Sequence, residues 1–276
     1  MKCLWCSNPE SISGERQLVT FANLCKNCLA CKRTCPKGAV DCTGDTLTLK
    51  TELCDFCGYC VLMCPHSARR IYGMAMTLEE LMREVMMDRS FYARSGGGVT
   101  LTGGEPLLQP QFIKAFIDEC DLEGIDTAME TSLLIDHEVI DSCCGNLKTF
   151  LVDVKSLDPS QYSSITGQKT DGKKYCDLLR SNIMRLASQN RNIILRCPII
   201  PDFNDNKDHI INVIQLGKDA GVSQIDLLPF HQYGRYKYDS LKLPYFYSKH
   251  ISLDDEKVRY MRDLIDESGL KCEIGG

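Results

Sequence analysis

The chain has 276 residues, of which 43% are hydrophobic, and it carries a formal net charge of −5 at pH 7. This length and apolar content suit one large α/β domain, or a core with an insertion. The negative net charge argues against a nucleic-acid-binding surface. No apolar run is long enough to span a membrane, and no signal peptide is recognisable. We therefore expect a cytoplasmic protein with no nucleic-acid or membrane partner.

Seventeen cysteines are a high number for a chain of this size. Disulfide-rich scaffolds are usually short and lack a large core. In a reducing cytosol, clustered cysteines more often bind metal. Clusters that are prone to oxidation also favour an anaerobic host.

The first cysteine motif lies at the beginning of the sequence, where Cys3 and Cys6 form a C-x-x-C pair around Trp5. Ser7 and the segment Asn8-Pro9-Glu10 follow. Taken alone, the pair is also compatible with a two-cysteine turn or half of a zinc site. The later motifs favour an iron–sulfur loop.

A stronger cysteine signal follows a short predicted strand at Gln17–Phe21. Two runs of the form C-x2-C-x2-C-x3-C-P, 29 residues apart, form an internal repeat. In the bacterial ferredoxin motif the fourth cysteine of each run binds the cluster of the other run. This rule assigns one 4Fe–4S cluster to Cys25, Cys28, Cys31 and Cys64, and a second to Cys54, Cys57, Cys60 and Cys35. A pair of zinc knuckles is the alternative, and two complete runs ending in proline argue against it.

Beyond residue 70, short strands rich in Val, Ile and Leu alternate with helices. Thr77-Leu78-Glu79-Glu80 is a capping box that predicts the start of a helix. The predicted strands are Val99–Thr102, Ile125–Glu130, Thr149–Lys155, Asn192–Ile200, Gln224–Phe230 and Lys271–Ile274. The predicted helices are 77–88, Gln111–Leu122, Asp136–Cys143, Tyr175–Ser188, Lys207–Ala220 and Leu253–Ser268. This alternation predicts an α/β fold with a parallel sheet or barrel.

Polar residues or glycines lie at the carboxyl ends of several of these strands. The carboxyl ends of parallel strands form one rim, where ligands bind. Each residue also has a structural alternative, such as a turn at Gly103-Gly104 or an exposed ion pair between Asp153 and Lys155. Their joint placement favours a binding site. The residues are Gly103, Gly104, Glu105, Glu130, Thr131, Asp153, Val154, Lys155, Arg196 and His231.

The whole chain resembles the glycyl-radical-enzyme activating enzymes of the radical S-adenosylmethionine (SAM) family, which are related to pyruvate formate-lyase activating enzyme. The resemblance is to the larger type, which carries a ferredoxin-like insertion. At 235–238 the sequence Arg-Tyr-Lys-Tyr departs from the more usual E-P-K-Y. The matching stretches are CLWCSNPES (3–11), the two cysteine runs (25–65), DRSFYARSGGGVTLTGGEPLLQP (88–110), METS (129–132), VDVK (152–155), LRCPIIPDFND (195–205) and LLPFHQYGRYKY (227–238).

The resemblance implies a partial (β/α)6 radical SAM barrel over residues 71–276. It places the cluster loop in residues 1–20 and an inserted domain with two auxiliary 4Fe–4S clusters in residues 21–70. The family loop has a cysteine four residues before Cys3, and its first barrel strand precedes that loop. We therefore expect the sequence as given to begin inside the loop, without the first strand.

The resemblance also implies the role of each site residue. Cys3 and Cys6 would bind the catalytic 4Fe–4S cluster, and Trp5, Cys6 and Ser7 would line the adenine of SAM. Gly103, Gly104 and Glu105 would bind the SAM amino group. The group of Thr131, Asp153, Val154 and Lys155 would lie at the ribose, the carboxylate and a monovalent cation. Arg196 would pair with the carboxylate, and His231 would close the pocket.

The implied reaction is reductive cleavage of SAM, with hydrogen abstraction from a backbone glycine of a partner glycyl radical enzyme. Flavodoxin or ferredoxin would supply the electron. The alternative is a truncated, catalytically impaired iron–sulfur protein that transfers electrons or docks to a partner. The rim residues oppose this alternative, because an electron carrier needs no SAM pocket.

Overall fold

The structure is a computed structural model that describes residues 2–43, 46–166, 171–247 and 251–275. The chain forms two compact units. The first, here called the sheet unit, contains Met1–Leu4, Met76–Gln232 and Lys249–Gly276. The second, the cysteine-rich unit, contains Trp5–Ala75 and Tyr233–Ser248. The unit boundary between Leu4 and Trp5 therefore falls inside the first cysteine motif.

The strands and helices of both units are numbered in chain order. The strands are β1 (Gln17–Thr20), β2 (Val40–Thr43), β3 (Thr46–Leu49), β4 (Arg69–Tyr72), β5 (Gly98–Leu101), β6 (Asp126–Thr131), β7 (Thr149–Asp153), β8 (Asn192–Ile199), β9 (Gln224–Pro229) and β10 (Lys271–Ile274). The helices are α1 (Ala30–Thr34), α2 (Tyr59–Leu62), α3 (Leu78–Met87), α4 (Arg89–Ser95), α5 (Pro110–Leu122), α6 (His137–Cys143), α7 (Pro159–Thr166), α8 (Gly172–Ser188), α9 (Lys207–Asp219), α10 (Arg235–Leu241) and α11 (Asp255–Glu267).

The sheet unit is built on one parallel sheet in which β5 to β10 lie side by side in chain order. Helices connect the strands, as parallel pairing requires. The predicted parallel α/β fold is confirmed, and the predicted last strand forms as β10. The capping box at Thr77 is also confirmed, because the Thr77 hydroxyl and the Glu80 side chain each accept a backbone N–H of the other residue. The sequence predictions missed the helices α1, α2, α4, α7 and α10 and the strands β2, β3 and β4.

The two faces of this sheet differ in burial. Along β8 every second residue is buried, beginning at Ile193 and ending at Ile199, and the residues between them are half-buried. The buried face joins the main hydrophobic core, which includes Leu179 of α8 and Leu216 of α9. Burying each such aliphatic side chain contributes about 1.5–3 kcal/mol. The half-buried face, called the inner face below, carries Arg196.

The cysteine-rich unit contains two small antiparallel sheets, β1 with β4 and β2 with β3. Its buried apolar cluster is small and is centred on Cys31, Val40 and Cys60. A core of this size contributes little free energy by itself, so such units usually need a metal or disulfide for stability. The described cysteines of this unit form no disulfide. In the described part of the chain, no helix has the length and hydropathy needed to cross a membrane.

Candidate active site and cysteine cavities

The eight cysteines of the two ferredoxin-type runs lie around two separate cavities. The first cysteine cavity is lined by Cys25, Cys28, Cys31 and Cys64. The second cysteine cavity is lined by Cys35, Cys54, Cys57 and Cys60. Each cavity thus takes three cysteines from one run and the fourth from the other run. This is the arrangement that the ferredoxin motif uses to hold two clusters.

The backbone around the two cavities repeats with the same 29-residue interval. Asn27 (φ 49°) and Phe56 (φ 60°) both adopt a left-handed conformation, as do Leu29 (φ 58°) and Gly58 (φ 80°). Such a conformation is costly for bulky residues, by about 1–3 kcal/mol each. Its recurrence at equivalent positions indicates that the loops are shaped to turn three thiols toward one cavity.

The fourth cysteine of each run accepts a hydrogen bond from a backbone amide. The N–H of Ala39 donates to Cys35 Sγ at 3.3 Å, and the N–H of Ala68 donates to Cys64 Sγ at 3.3 Å. Burial raises the pKa of Cys35, but several backbone N–H groups, with that of Ala39 first among them, outweigh burial and lower the pKa overall. The amides therefore favour the thiolate, which is the form that binds metal.

The arrangement of the thiols distinguishes between a cluster and a single ion. In the described residues, no group of three or more His, Cys, Asp or Glu side chains converges on one ion position. A zinc ion would need four ligands at about 2.0–2.3 Å from one point. Thiols spread over the wall of a cavity suit a cubane, in which each cysteine binds a different iron. The donor set and its spacing therefore fit 4Fe–4S clusters.

Charged side chains of the sheet unit meet on the inner face at the carboxyl ends of the strands. Arg196 of β8 forms an ion pair with Glu130 of β6. Lys155 donates to Asp153 at 2.8 Å, and these two side chains are 13% and 29% exposed. The strand register also aligns Asp153, Arg196 and Asp226 in one row across β7, β8 and β9. Positive and negative groups thus alternate at one rim, as a zwitterionic ligand would require.

Two basic groups of this rim are shielded from water. Burial lowers the pKa of Arg196, and its Nε atom is buried without a hydrogen-bond partner in the described structure. For Lys155, burial lowers the pKa, but Asp153 and Cys3 outweigh it and raise the pKa overall. Both side chains are therefore cationic at neutral pH. Arg196 Nε is a donor that a ligand oxygen can satisfy.

Cys3 lies beside the ion pair of Lys155 and Asp153. Burial raises the pKa of its thiol, Lys155 lowers it and Asp153 raises it again. The next residue is held by a hydrogen bond from the Leu4 N–H to the Ile165 carbonyl at 3.1 Å. The structure thus brings Cys3 to the same rim as the predicted SAM-binding residues. Trp5, Cys6 and Ser7 belong to the cysteine-rich unit, where Trp5 is buried and Ser7 is exposed.

The Gly-Gly-Glu segment follows β5 and forms a braced turn. Gly103 has φ 120°, a value that L-residues rarely adopt. The Glu105 carboxylate accepts from the Thr131 hydroxyl at 2.7 Å and from the Ser132 hydroxyl and N–H at 2.7 and 3.0 Å. Both carboxylate oxygens therefore bond to protein donors. In this structure Glu105 holds the end of β6 in place, whereas the resemblance implies contact with the SAM amino group.

Two residues of the predicted site have their side chains on the buried face of the sheet. Thr131 is 3% exposed and Val154 is fully buried, because both side chains lie on the face that packs against the helices. The Val154 N–H is also committed, since it donates to the Arg196 carbonyl at 2.8 Å. Neither side chain reaches the inner face. His231 follows β9 and is exposed.

The sequence places Glu130 at the rim without a role, and in the structure it lies on the half-buried inner face of β6. Asn204 is the residue that the sequence prediction left out. Asn204 is fully buried. Its side chain donates to the carbonyls of Lys155 and Pro198 at 2.9 and 2.7 Å and accepts from the Ile200 N–H at 2.7 Å. Asn204 thereby ties the ends of β7 and β8 together.

Comparison with known proteins places this geometry in a family. Residues 1–214 match the model of the Radical SAM superfamily. The (2S)-3-sulfopropanediol dehydratase activating enzyme of Klebsiella oxytoca is 32% identical, over 100% of this chain and 88% of that protein. The 4-hydroxyphenylacetate decarboxylase activating enzyme of Clostridioides difficile (strain CD196) is 31% identical, over 100% of this chain and 87% of that protein.

A solved structure agrees with these sequence matches. It is the crystal structure of a domain of pyruvate-formate lyase-activating enzyme from Bacteroides vulgatus ATCC 8482. The two chains are 27% identical, with a TM-score of 0.52, and the match covers 65% of this chain and 99% of the other. The chain belongs to the radical SAM superfamily, which uses SAM and a 4Fe–4S cluster, and within it is an oxidoreductase of the glycyl-radical-enzyme activating type.

Proposed function

We propose that this protein cleaves SAM reductively and installs a glycyl radical on a partner enzyme. The observation that carries the proposal is the rim of alternating charges beside Cys3, in a chain whose relatives are activating enzymes. Glycyl radical enzymes are the partner class that this family implies. We propose a glycyl radical enzyme as the partner class, because the relatives are named for chemically different enzymes, a dehydratase and a decarboxylase.

The rim residues fit the methionine part of SAM, which carries an ammonium and a carboxylate. Arg196 would donate to the carboxylate, because its Nε has no hydrogen-bond partner among the described residues. Glu130 and Asp153 would accept from the ammonium, and hydrogen bonds between charged groups are about twice as strong as neutral ones. Lys155 stays beside Cys3 and Asp153 and would orient the ligand. These contacts would fix SAM next to the catalytic cluster.

The cofactors supply the chemistry that the side chains cannot. Cys3 and Cys6 would hold two irons of the catalytic cluster, which would supply the one electron that breaks the S–C5′ bond of SAM to give methionine and a 5′-deoxyadenosyl radical. Transfer of one hydrogen atom from a glycine of the partner to that radical would leave 5′-deoxyadenosine and a glycyl radical. Flavodoxin or ferredoxin is the proposed electron donor. The protein's part is to bind, orient and exclude water.

Two auxiliary 4Fe–4S clusters are the second part of the proposal. They would occupy the first and second cysteine cavities. The exchange of the fourth cysteine and the 29-residue repeat of left-handed residues support this assignment. An electron-transfer protein that does not cleave SAM is the competing function, and the two cavities alone would suit it. The charged rim favours the activating enzyme, since an electron carrier has no use for it.

The decisive experiment measures 5′-deoxyadenosine. The protein, expressed from its native gene and reconstituted anaerobically with iron and sulfide, is reduced in the presence of SAM. We expect 5′-deoxyadenosine and, with the correct partner, the electron paramagnetic resonance (EPR) signal of a glycyl radical. Arg196→Met should lower product formation at least tenfold, whereas the exposed Lys148→Met should not. A fully loaded protein that forms no 5′-deoxyadenosine would favour the electron-transfer function.

A further inference from the structure

Helix α10 packs on the segment that follows the first cysteine motif, and both belong to the cysteine-rich unit. The hydroxyl of Tyr238 donates to the Cys6 carbonyl at 2.9 Å. Tyr238 is 4% exposed, so water competes little for this bond. A hydrogen bond to a backbone carbonyl fixes the peptide plane of its residue. Tyr238 therefore limits the rotation of the peptide between Cys6 and Ser7.

The neighbouring Lys237 bonds to two further residues of the same segment. Its Nζ donates to Asn8 Oδ1 at 2.8 Å and to Glu10 Oε1 at 2.6 Å. The side chains of Lys237 and Glu10 are only 17% and 19% exposed. A partly buried pair of this kind is screened less by salt and solvent than a surface pair. Lys237 thus holds the segment at two points.

Gly234 allows the close approach that these bonds need. A Cβ atom at this position would lie 2.6 Å from the Ser7 carbonyl oxygen, which is shorter than any normal contact. Gly234, Lys237 and Tyr238 are spaced i, i+3 and i+4, so they share one face. That face contacts residues 6–10 at successive positions.

The far end of the segment is anchored to the rest of the unit. The Gln17 side chain donates to the Glu10 carbonyl at 2.9 Å. The rings of Phe21, which follows β1, and Tyr236 of α10 lie 5.9 Å apart. Helix α10 is therefore packed against the β1 end as well as the segment. Movement of residues 6–10 is restricted from both sides.

We propose that Gly234, Lys237 and Tyr238 form a clasp of positioning residues that fixes the backbone of residues 6–10 and thereby sets the affinity for SAM. The clasp rests on the proposed function, because only that function assigns Cys6 to the catalytic cluster and its neighbours to the adenine of SAM. None of the three residues touches the reacting atoms. They act through the backbone that presents Cys6.

The first test is amide hydrogen exchange of a peptide covering residues 5–11 in the reconstituted protein, without SAM. Tyr238→Phe removes one hydroxyl from the clasp, and Tyr236→Phe removes an exposed hydroxyl from the same helix as the matched control. Since one hydrogen bond contributes about 0.5–1.5 kcal/mol, we expect exchange about three- to tenfold faster in Tyr238→Phe. Exchange at the rate of the wild type would overturn the clasp.

The second test separates positioning from folding. In the reconstituted protein, Tyr238→Phe and Lys237→Met should raise KM for SAM about three- to tenfold and leave kcat within about twofold, because they weaken ground-state and transition-state binding equally. Lys237→Arg should restore part of the loss. Lys173→Met, which removes an exposed i,i+4 ion pair, is the control for lysine loss. A KM equal to that of the wild type would reduce the clasp to a purely structural contact and overturn the proposal.

The two tests also separate failure of the clasp from failure of the proposed function. If the wild-type protein forms no 5′-deoxyadenosine, the proposed function fails and the KM comparison falls with it. The exchange experiment uses the reconstituted protein without SAM and needs no turnover. Unchanged exchange in Tyr238→Phe beside normal product formation by the wild type would overturn the clasp alone.

Discussion

Glu130 and Thr131 are neighbours on β6, but their side chains have different surroundings. Glu130 lies on the inner face and pairs with Arg196. Thr131 lies on the buried face, where its hydroxyl donates to Glu105 at 2.7 Å. Side chains of a strand alternate between its two faces, so neighbouring residues lie on opposite faces: one on the proposed ligand-binding face and the next in the hydrophobic core. The pair therefore offers a direct test of which face binds SAM.

We predict opposite effects from nearly isosteric substitutions at these two positions. Glu130→Gln removes a charged acceptor from the rim and should raise the Kd for SAM about tenfold, since charge-assisted hydrogen bonds contribute about 1.5–3 kcal/mol. Thr131→Val should leave the Kd within about twofold but destabilise the protein by about 1–3 kcal/mol, because Glu105 loses a donor. Calorimetric SAM titration and chemical denaturation measure the two effects. A larger loss of affinity in Thr131→Val would contradict the face assignment.

Among the elements, α1 and α2 with their preceding loops form a structural repeat. Each short helix begins after a left-handed residue, Leu29 or Gly58, and carries the third cysteine of its run. The next turn carries the fourth cysteine to the other cavity. The helices are too short to be stable alone, because isolated helices below about 12 residues are marginal in water. The conformation of α1 and α2 therefore depends on the group that the surrounding cysteines bind.

The exchange of the fourth cysteine leads to a prediction about pairs of variants. Cys64→Ala should give the same defect as Cys28→Ala, and Cys35→Ala the same defect as Cys57→Ala, although each pair joins different runs. EPR spectra of the reduced protein, together with iron analysis, should show loss of the same cluster within each pair. Cys42→Ala, outside both cavities, is the control. If Cys64→Ala instead matched Cys57→Ala, the clusters would be bound within single runs.

For the molecule as a whole, the two units differ in what stabilises them. The sheet unit buries a continuous apolar core between its strands and helices, including Phe150, Leu195 and Ile225. The cysteine-rich unit has a small apolar cluster in which two of the buried residues are Cys31 and Cys60. Metal binding to such a unit contributes directly to its folding free energy. The stability of each unit should therefore depend differently on iron.

Removing iron with a chelator under anaerobic conditions should loosen the cysteine-rich unit selectively. We expect amide protection to fall at least tenfold over the strands β1 and β4, while β7 and β8 keep theirs, because the sheet unit contains its own core. Hydrogen exchange followed by mass spectrometry resolves the two regions in one sample. Equal loss of protection in both sets of strands would show that the clusters do not stabilise their own unit preferentially.

The sequence alone was sufficient for features that depend on local spacing. The C-x2-C-x2-C-x3-C runs predicted the two sets of cysteines that line the cavities. Three ligands of a cubane come from one short run of residues, so their spacing in the sequence is enough to identify them. The alternation of strands and helices likewise predicted the parallel sheet, since each connection is local. The bounds of most strands were predicted to within one or two residues for the same reason.

Only the tertiary structure decided which side chains share a face and which distant segments meet. The predicted rim contained Glu130, which lies on the inner face, and also Thr131 and Val154, whose side chains are buried on the other face. Lys237 contacts Asn8 across 229 positions of sequence, and no local periodicity reports such a contact. Spacing fixes the order of ligands along the chain. The packing of helices on one face of a sheet determines which residues are left to bind a ligand, and that packing depends on the whole chain.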